Sequence, residues 1–472
     1  MPDPGVLNPF LLSLRVVLLA AAIHLLLIGN TSAAGVTSEG TEALHAAQAA
    51  FERKQYDRAL SLLEPLTKGG IGSREALTLQ IRSLLRLGRP SDALGDYERL
   101  ETQSKQENRP LLREVAIGFI TPLLKDMREQ MRGAAYTALK ELDSKEAIPH
   151  FEDGLSDGSG LVRALAVEGL GRLAAGRRSA RLRQAVEDQA AMVRTAALKA
   201  LGRSNDRSVI PLLEHALADE QPGVRVTAWG ALATMGRREA WDQVRDAAAR
   251  PNPDERSAAL RVLGSLRDRR ALPVLQEALG DPQPSVRGAA AIALGELGRP
   301  EASPGLSALL LDPVPAVRAS AATSLGELES RASTPALKQA LADSNPAVRA
   351  AAVSALLRVG EPYADVADVI RGLTQGQDPG IRAAAARALA SARPRRGKGS
   401  PAKEATDTLR LLLDDPLPRT RIAAARALGQ IGGTQVVPIL KKALRDSDEA
   451  VRATAGGALG RTLGLAPGST PG

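Results

Sequence analysis

Asp281-Pro-Gln-Pro-Ser-Val-Arg-Gly-Ala-Ala-Ala-Ile-Ala-Leu-Gly295 is one copy of a pattern that recurs along most of the chain. Its arginine, Arg287, has counterparts every 31 residues at Arg132, Arg163, Arg194, Arg225, Arg256, Arg318 and Arg349, and the series continues at Arg382, Arg421 and Arg452. Three residues after each stands an alanine and seven after a leucine, Ala290 and Leu294 in the quoted copy. With the apolar residue before the arginine they fall on one face of a helix, termed helix A. A period of this length is the signature of stacked units, none of which buries its apolar face alone. The expectation is an all-α, right-handed α-solenoid of about eleven helix-turn-helix repeats over residues 110–464, one elongated body in place of the roughly three domains that the length allows.

Gly295, with Gly171, Gly202, Gly264, Gly326, Gly429 and Gly460, reads as the residue that ends helix A. A second helix, B, opens at Pro149, Pro211, Pro273, Pro304, Pro335 and Pro438, with Asp242, Asp368 and Asp407 in the same register elsewhere. Proline lacks a donor that the first turn could not pair, and aspartate meets the positive helix end. Helix B carries its own apolar stripe, including Phe151, Leu182, Leu213, Leu275, Leu337 and Leu440, and is expected to line the concave face.

Six residues before nine of the eleven arginines stands an aspartate, Asp281, Asp312 and Asp343 among them; Arg250 and Gly376 break the series. Such an aspartate can cap the following helix A, or pair with the recurring arginine of its own or a neighbouring unit. Arg163, Arg194, Arg225, Arg287, Arg318 and Arg349 are accordingly read as structural repeat residues, with a ligand-binding row of carboxylates as the alternative. Units such as Asp343-Ser-Asn-Pro-Ala-Val-Arg-Ala-Ala-Ala-Val-Ser-Ala-Leu356 resemble HEAT repeats of the short type named for phycobilisome lyases. That resemblance implies a solenoid, and serves adaptors, chaperone-like proteins and a few enzymes.

Ahead of the array, Ala59 and Ala93, Leu63 and Tyr97, and Leu66 and Leu100 repeat at an offset of 34, so residues 40–109 resemble a pair of tetratricopeptide repeats. Residues 110–125 read as a joining helix in which Ile120 and Leu124 take the helix B register.

The first 34 residues stand apart: Arg15 precedes the apolar run Val16 to Gly29, and small residues at Ser32 and Ala34 suit cleavage before Gly35. Residues 1–34 therefore read as a signal peptide, with an uncleaved inner-membrane anchor as the alternative, and the protein as exported, periplasmic or extracellular. Cysteine is absent, which excludes disulfides, thiolate nucleophiles and lipidation at a leader cysteine. The histidines His45, His150 and His215 are scattered, and Glu214-His215 reverses the His-Glu order that carries iron in HEAT-repeat deoxyhypusine hydroxylases. No cofactor, metal site or catalytic group is expected; Trp229 and Trp241 read as local packing.

The net charge of +9 suits acidic proteins or an anionic envelope surface better than nucleic acid. Turns from helix A to helix B are basic, as at Arg177, Arg178 and Arg181. The excess between Arg382 and Arg421 forms a basic loop insertion, residues 391–405, carrying Arg393, Arg395, Arg396, Lys398 and Lys403. A flexible tail, 465–472, ends the chain. The resulting expectation is a non-enzymatic exported scaffold holding a protein partner along the solenoid. Alternatives are an enzyme of the HEAT-repeat lyase or hydroxylase type, and polyanion binding through the basic rim.

Overall fold

The computed structural model describes residues 40–68, 73–392 and 401–464, and every regular element among them is helical. Residues 1–34, read above as a leader, residues 465–472, read as a tail, and four of the basic insertion residues, Arg393, Arg395, Arg396 and Lys398, lie outside the described residues. The chain divides into two compact units, Met1–Leu111 and Leu112–Gly472.

In the first unit, helices 40–52, Tyr56–Thr67, Arg74–Arg86 and Pro90–Ser104 follow one another. Ala59, Leu63, Ala93, Tyr97 and Leu100 are all buried, as their common register predicts. The Tyr97 hydroxyl accepts the Asn108 N–H at 3.2 Å, which gives this buried phenol a polar partner.

In the second unit the expected joining helix is broken into helix Arg109–Gly118, which crosses the unit boundary, and the 3-10 turn Thr121–Lys125, with Ile120 fully buried between them. The repeats follow, numbered here from the unit of Arg132. Helix A spans Glu129–Leu142 in unit 1, Ala191–Gly202 in unit 3, Pro222–Thr234 in unit 4, Pro253–Leu266 in unit 5, Pro284–Leu297 in unit 6 and Glu449–Gly464 in unit 11. Helix B is shorter, for example Ile148–Gly154, Ser303–Ala308 and Val437–Ala443, each with proline in its first turn. Ala290 and Leu294 of helix A and Leu306 of helix B are fully buried, so the two stripes read from the sequence meet in one continuous core.

Of the recurring glycines, Gly202 is the last residue of its helix A, but others do not end the helix. Gly264 and Gly295 lie inside it, and the residue that leaves it in a left-handed conformation is Gly298, at φ 70°. A Cβ on Gly264 would lie 2.6 Å from the Cα of Ala293 in the next helix A; for Gly202 and Ala231 the distance is 2.8 Å. These glycines are close-packing points, where each helix A lies directly on its successor. Consecutive B helices make no comparable contact. The A helices, closer together, therefore line the inside of the curve and the B helices the outside, which reverses the expectation from sequence. Alanine and glycine at the A–A contacts set a shorter spacing than the leucines of helix B allow.

The curve closes within this unit. Helix A of unit 11 packs against helix A of unit 1, where a Cβ on Gly457 would lie 2.5 Å from the Ala138 carbonyl oxygen. Arg113 Nε donates to the Gly460 carbonyl at 3.1 Å, and Arg426 reaches Glu141 at 3.1 Å. Ala453 belongs to the same core cluster as Ile120 and Ala135. In place of an elongated array with two free ends, the A helices of this unit form a closed succession.

The insertion in unit 9 is also shorter as a loop than expected. The chain is helical over Pro401–Leu412, so Lys403 stands exposed in the first turn of a long helix B and Asp407 lies within it.

Candidate binding site on the inner face of the A helices

The aspartate–arginine series resolves into a ladder. Arg287 Nε donates to Asp312 Oδ2 at 2.6 Å and Nη2 to Oδ1 at 3.0 Å, while Nη1 turns back to the Asp281 carbonyl at 2.9 Å. Arg132, Arg163, Arg194, Arg287, Arg318 and Arg421 each join the aspartate ahead of their own helix to the aspartate ahead of the next. Arg163 with Asp188, Arg194 with Asp219 and Arg318 with Asp343 repeat the geometry at 2.7 Å. Arg382 and Asp415 keep it at 2.5 Å although 33 residues separate them instead of 25, so the insertion is accommodated without breaking the link.

The aspartates do not cap helix A. The N-cap residue of unit 6 is Gln283, and Asp281, two residues earlier, accepts the Gln283 N–H at 2.8 Å. The hydrogen bonds from Arg287 hold the Asp312 carboxyl below the usual carboxylate range, and those from Arg318 do the same for Asp343. With both oxygens engaged, these carboxylates serve the fold, and a ligand-binding row is not available from them. The link to a following aspartate is missing at Arg225, Arg349 and Arg452. Arg225 and Arg349 keep only their backbone bonds, to the carbonyls of Asp219 and Asp343 at 2.8 Å. Where Arg225 would find an aspartate stands Arg250, which pairs with Glu255 instead.

The basic rim is likewise partly consumed. Arg177 Nη1 donates to the Gly171 carbonyl at 3.0 Å, satisfying the end of a helix A, and Arg181 Nη1 donates to the Glu152 carbonyl of the preceding helix B at 2.9 Å. Arg178 is exposed. Only Arg178 and Lys403 of the proposed basic contacts are described and free to face a ligand.

What remains open is the one face of helix A that packs on neither helix B nor the adjacent A helices. Counting from each arginine, it carries residues at plus five and plus nine, except where these are buried against a neighbouring helix A, as at Gly457 and Ser391. Along the array these include Glu168, Lys199, Arg261, Glu296, Glu327, Arg358, Arg387 and Arg426, all exposed or half-buried. The sequence reading passed over them; the available signal was that these are the charged positions of an otherwise Ala/Leu/Gly helix. They form sectors, with Glu296 and Glu327 acidic, and Arg358, Arg387 and Arg426 basic.

The space is confined. Burial pushes the Lys199 ammonium down, with repulsion from Arg261 added, although its surface is solvent-accessible; Glu296, three units on, opposes the shift. Burial raises the Glu327 carboxyl, with Arg358 pulling it back. Arg387 is lowered by burial and by Arg419 and Arg426 beside it. Charges from units 2, 5 and 6, on Glu168, Arg261 and Glu296, all act on Lys199 of unit 3, as they do when the row faces the inside of a closed succession of helices. Among the described residues no three His, Asp or Glu side chains come together as metal ligands, and His215 lies exposed on helix B.

Solved structures similar to this chain include human deoxyhypusine hydroxylase in complex with glycerol, at 24% identity over 53% of this chain and 97% of that one, TM-score 0.30. The CpcE–CpcF complex of phycocyanin lyase from a Nostoc species matches at 24% identity over 45% and 91%, TM-score 0.35. A Kap121p mutant matches at 13% identity over 87% and 54%, TM-score 0.34. No curated protein matches the chain. The family model for HEAT repeats matches residues 117–198, 179–256, 242–326, 303–390 and 366–460, and with this coverage the chain belongs to the HEAT-repeat family.

Proposed function

We propose that this protein is a non-enzymatic, exported scaffold that holds a protein partner against the inner face of its A helices. The observation that carries the reading is the open row at plus five and plus nine. It is the charged face of helix A that the array's own packing leaves unused, and it alternates in sign by sector. A narrow, sectored concavity suits an extended segment with acidic and basic stretches better than a folded domain, and charge complementarity would set its register. Export is supported by the leader, Arg15 followed by the apolar run to Gly29. The lack of a catalytic constellation among the scattered histidines supports a binding role.

A photo-crosslinking residue placed at Thr323, on the inner face, should give a partner adduct in an envelope fraction, and the same residue at Gln339, on helix B, should not. Charge reversal at Glu296 and Glu327 should remove the adduct. Crosslinking from Gln339 alone would place the partner on the outer face. N-terminal sequencing of protein from its native host should find a start near Gly35; an intact chain from Met1 in the cytosol would defeat the export part of the reading.

A further inference from the structure

Unit 4 departs from its neighbours in several ways that converge on one place. Its plus-five and plus-nine residues are Gly230 and Thr234, so the inner wall loses its long side chains there. Its helix B begins just past Gly236, at φ 88°, and runs over Arg238–Ala247 with no 3-10 turn on either side, whereas units 3 and 5 each have at least one. Into the gap opens a pocket of about 290 Å³ reaching from the inner face to the turn between the helices.

The floor of the pocket is Trp241, with Val262 and Leu266 beside it. Trp241 is 6% exposed, the Arg270 guanidinium stacks 4.3 Å from its ring centroid, and its Nε1–H has no acceptor. Around the floor stand Lys199, Arg203, Arg237, Arg238 and Arg270, against a single carboxylate, Asp268. Asp268 is taken by Arg270 at 2.6 Å, and Arg237 approaches Glu214 at 3.5 Å. No ion pair engages Lys199, Arg203 or Arg238 among the described residues. Like charges held together by a fold, and outnumbering the carboxylates near them, repel one another, and an anion placed between them relieves that repulsion.

We propose that this pocket binds an anionic group, carboxylate or phosphate, of a small ligand that seats beside the Arg270 guanidinium stacked on Trp241. Arg203 supplies a planar fork of donors and Lys199 a point charge, the pairing that suits either oxyanion. The volume is that of a small-molecule subsite, about 300 Å³ and upward. The site shares Lys199 with the open row, but its titration with a free anion needs no partner, so its failure is distinguishable from that of the partner reading.

The chain's two tryptophans are Trp229 and Trp241, so Trp229→Phe leaves Trp241 as the sole indole reporter. Its fluorescence should change saturably on titration with inorganic phosphate or with citrate at fixed ionic strength, and the apparent Kd should rise at least tenfold in Lys199→Ala/Arg203→Ala. Response to phosphate alone, or citrate alone, names the oxyanion. Calorimetric titration of the unaltered chain with the same two anions gives the same readout if Trp229→Phe disturbs the fold. A response no larger than that of matched potassium chloride, or one unaltered by the double substitution with its melting temperature preserved, overturns the proposal.

Discussion

Arg128 Nη2 donates to Glu449 Oε2 at 2.5 Å across 321 residues of chain, tying the entry of the first helix A to the first turn of the last. The pair is exposed and screened, so it marks the closure without supplying its strength. The strength lies where Gly456 and Gly457 let the last helix A settle on the backbone of Ala116 and Ala138.

Gly457→Leu should therefore open the closure, because its side chain has no room beside the Ala138 carbonyl. Small-angle scattering should show a larger maximum dimension and calorimetry a lower Tm, overpacking of this kind costing about 1–3 kcal/mol or more. Unchanged dimensions with unchanged Tm would mean that the ends do not depend on this contact.

The ladder makes a graded prediction. Arg163 and Asp188 expose only 7% and 13% of their side chains, so Arg163→Ala strands a carboxylate and should cost about 3 kcal/mol in denaturant unfolding. Arg225, which has no carboxylate across from it, should cost about 1 kcal/mol, the worth of its backbone bonds alone. Exposed Arg238→Ala should leave stability near the wild-type value. Equal effects at Arg163 and Arg225 would show that the carboxylate link carries no net stability.

Asp188, Asp312 and Asp343 are held below the usual carboxylate range chiefly by hydrogen bonds from Arg163, Arg287 and Arg318. A folded-state pKa below the unfolded one adds stability that is present above the unfolded value of about 3.9 and lost as pH falls through the folded value. Tm should therefore hold level from neutral pH to about pH 5 and drop steeply below about pH 4. Asp312→Asn should lower the plateau and shallow the drop. A Tm that falls between neutrality and pH 5 would point to other groups.

Two glycines on neighbouring units should respond in opposite directions. Gly264→Ala drives a methyl into Ala293 of the next helix A and should destabilise by about 1–3 kcal/mol. Gly223→Ala, in helix A of unit 4 with nothing within 4 Å of its Cβ, should stabilise by about 0.4–1 kcal/mol through loss of unfolded-state freedom. Thermal melts of the two variants settle the comparison.

Elemental analysis and an absorption spectrum of purified protein should show no stoichiometric transition metal and no chromophore. Either one bound at unit ratio would bring the lyase and hydroxylase readings forward.

The amino-acid sequence alone determined the repeat, its two helices and its core. The 31-residue period and the apolar stripes are local properties, and Leu294 or Leu306 has no other face to bury. It offered Arg287 two aspartates, Asp281 at an offset of six and Asp312 at 25, and only the stacking of successive units chose the longer one for the side-chain pair. The same holds for Gly264, whose place near the helix end fits a terminal glycine as well as a packing point until Ala293 is set beside it. Which helices line the inside, and that unit 11 meets unit 1, were decided only by the tertiary structure. Both follow from the difference between A–A and B–B spacing, a small length at each step that no single unit records and that becomes a closed succession when it accumulates along the array.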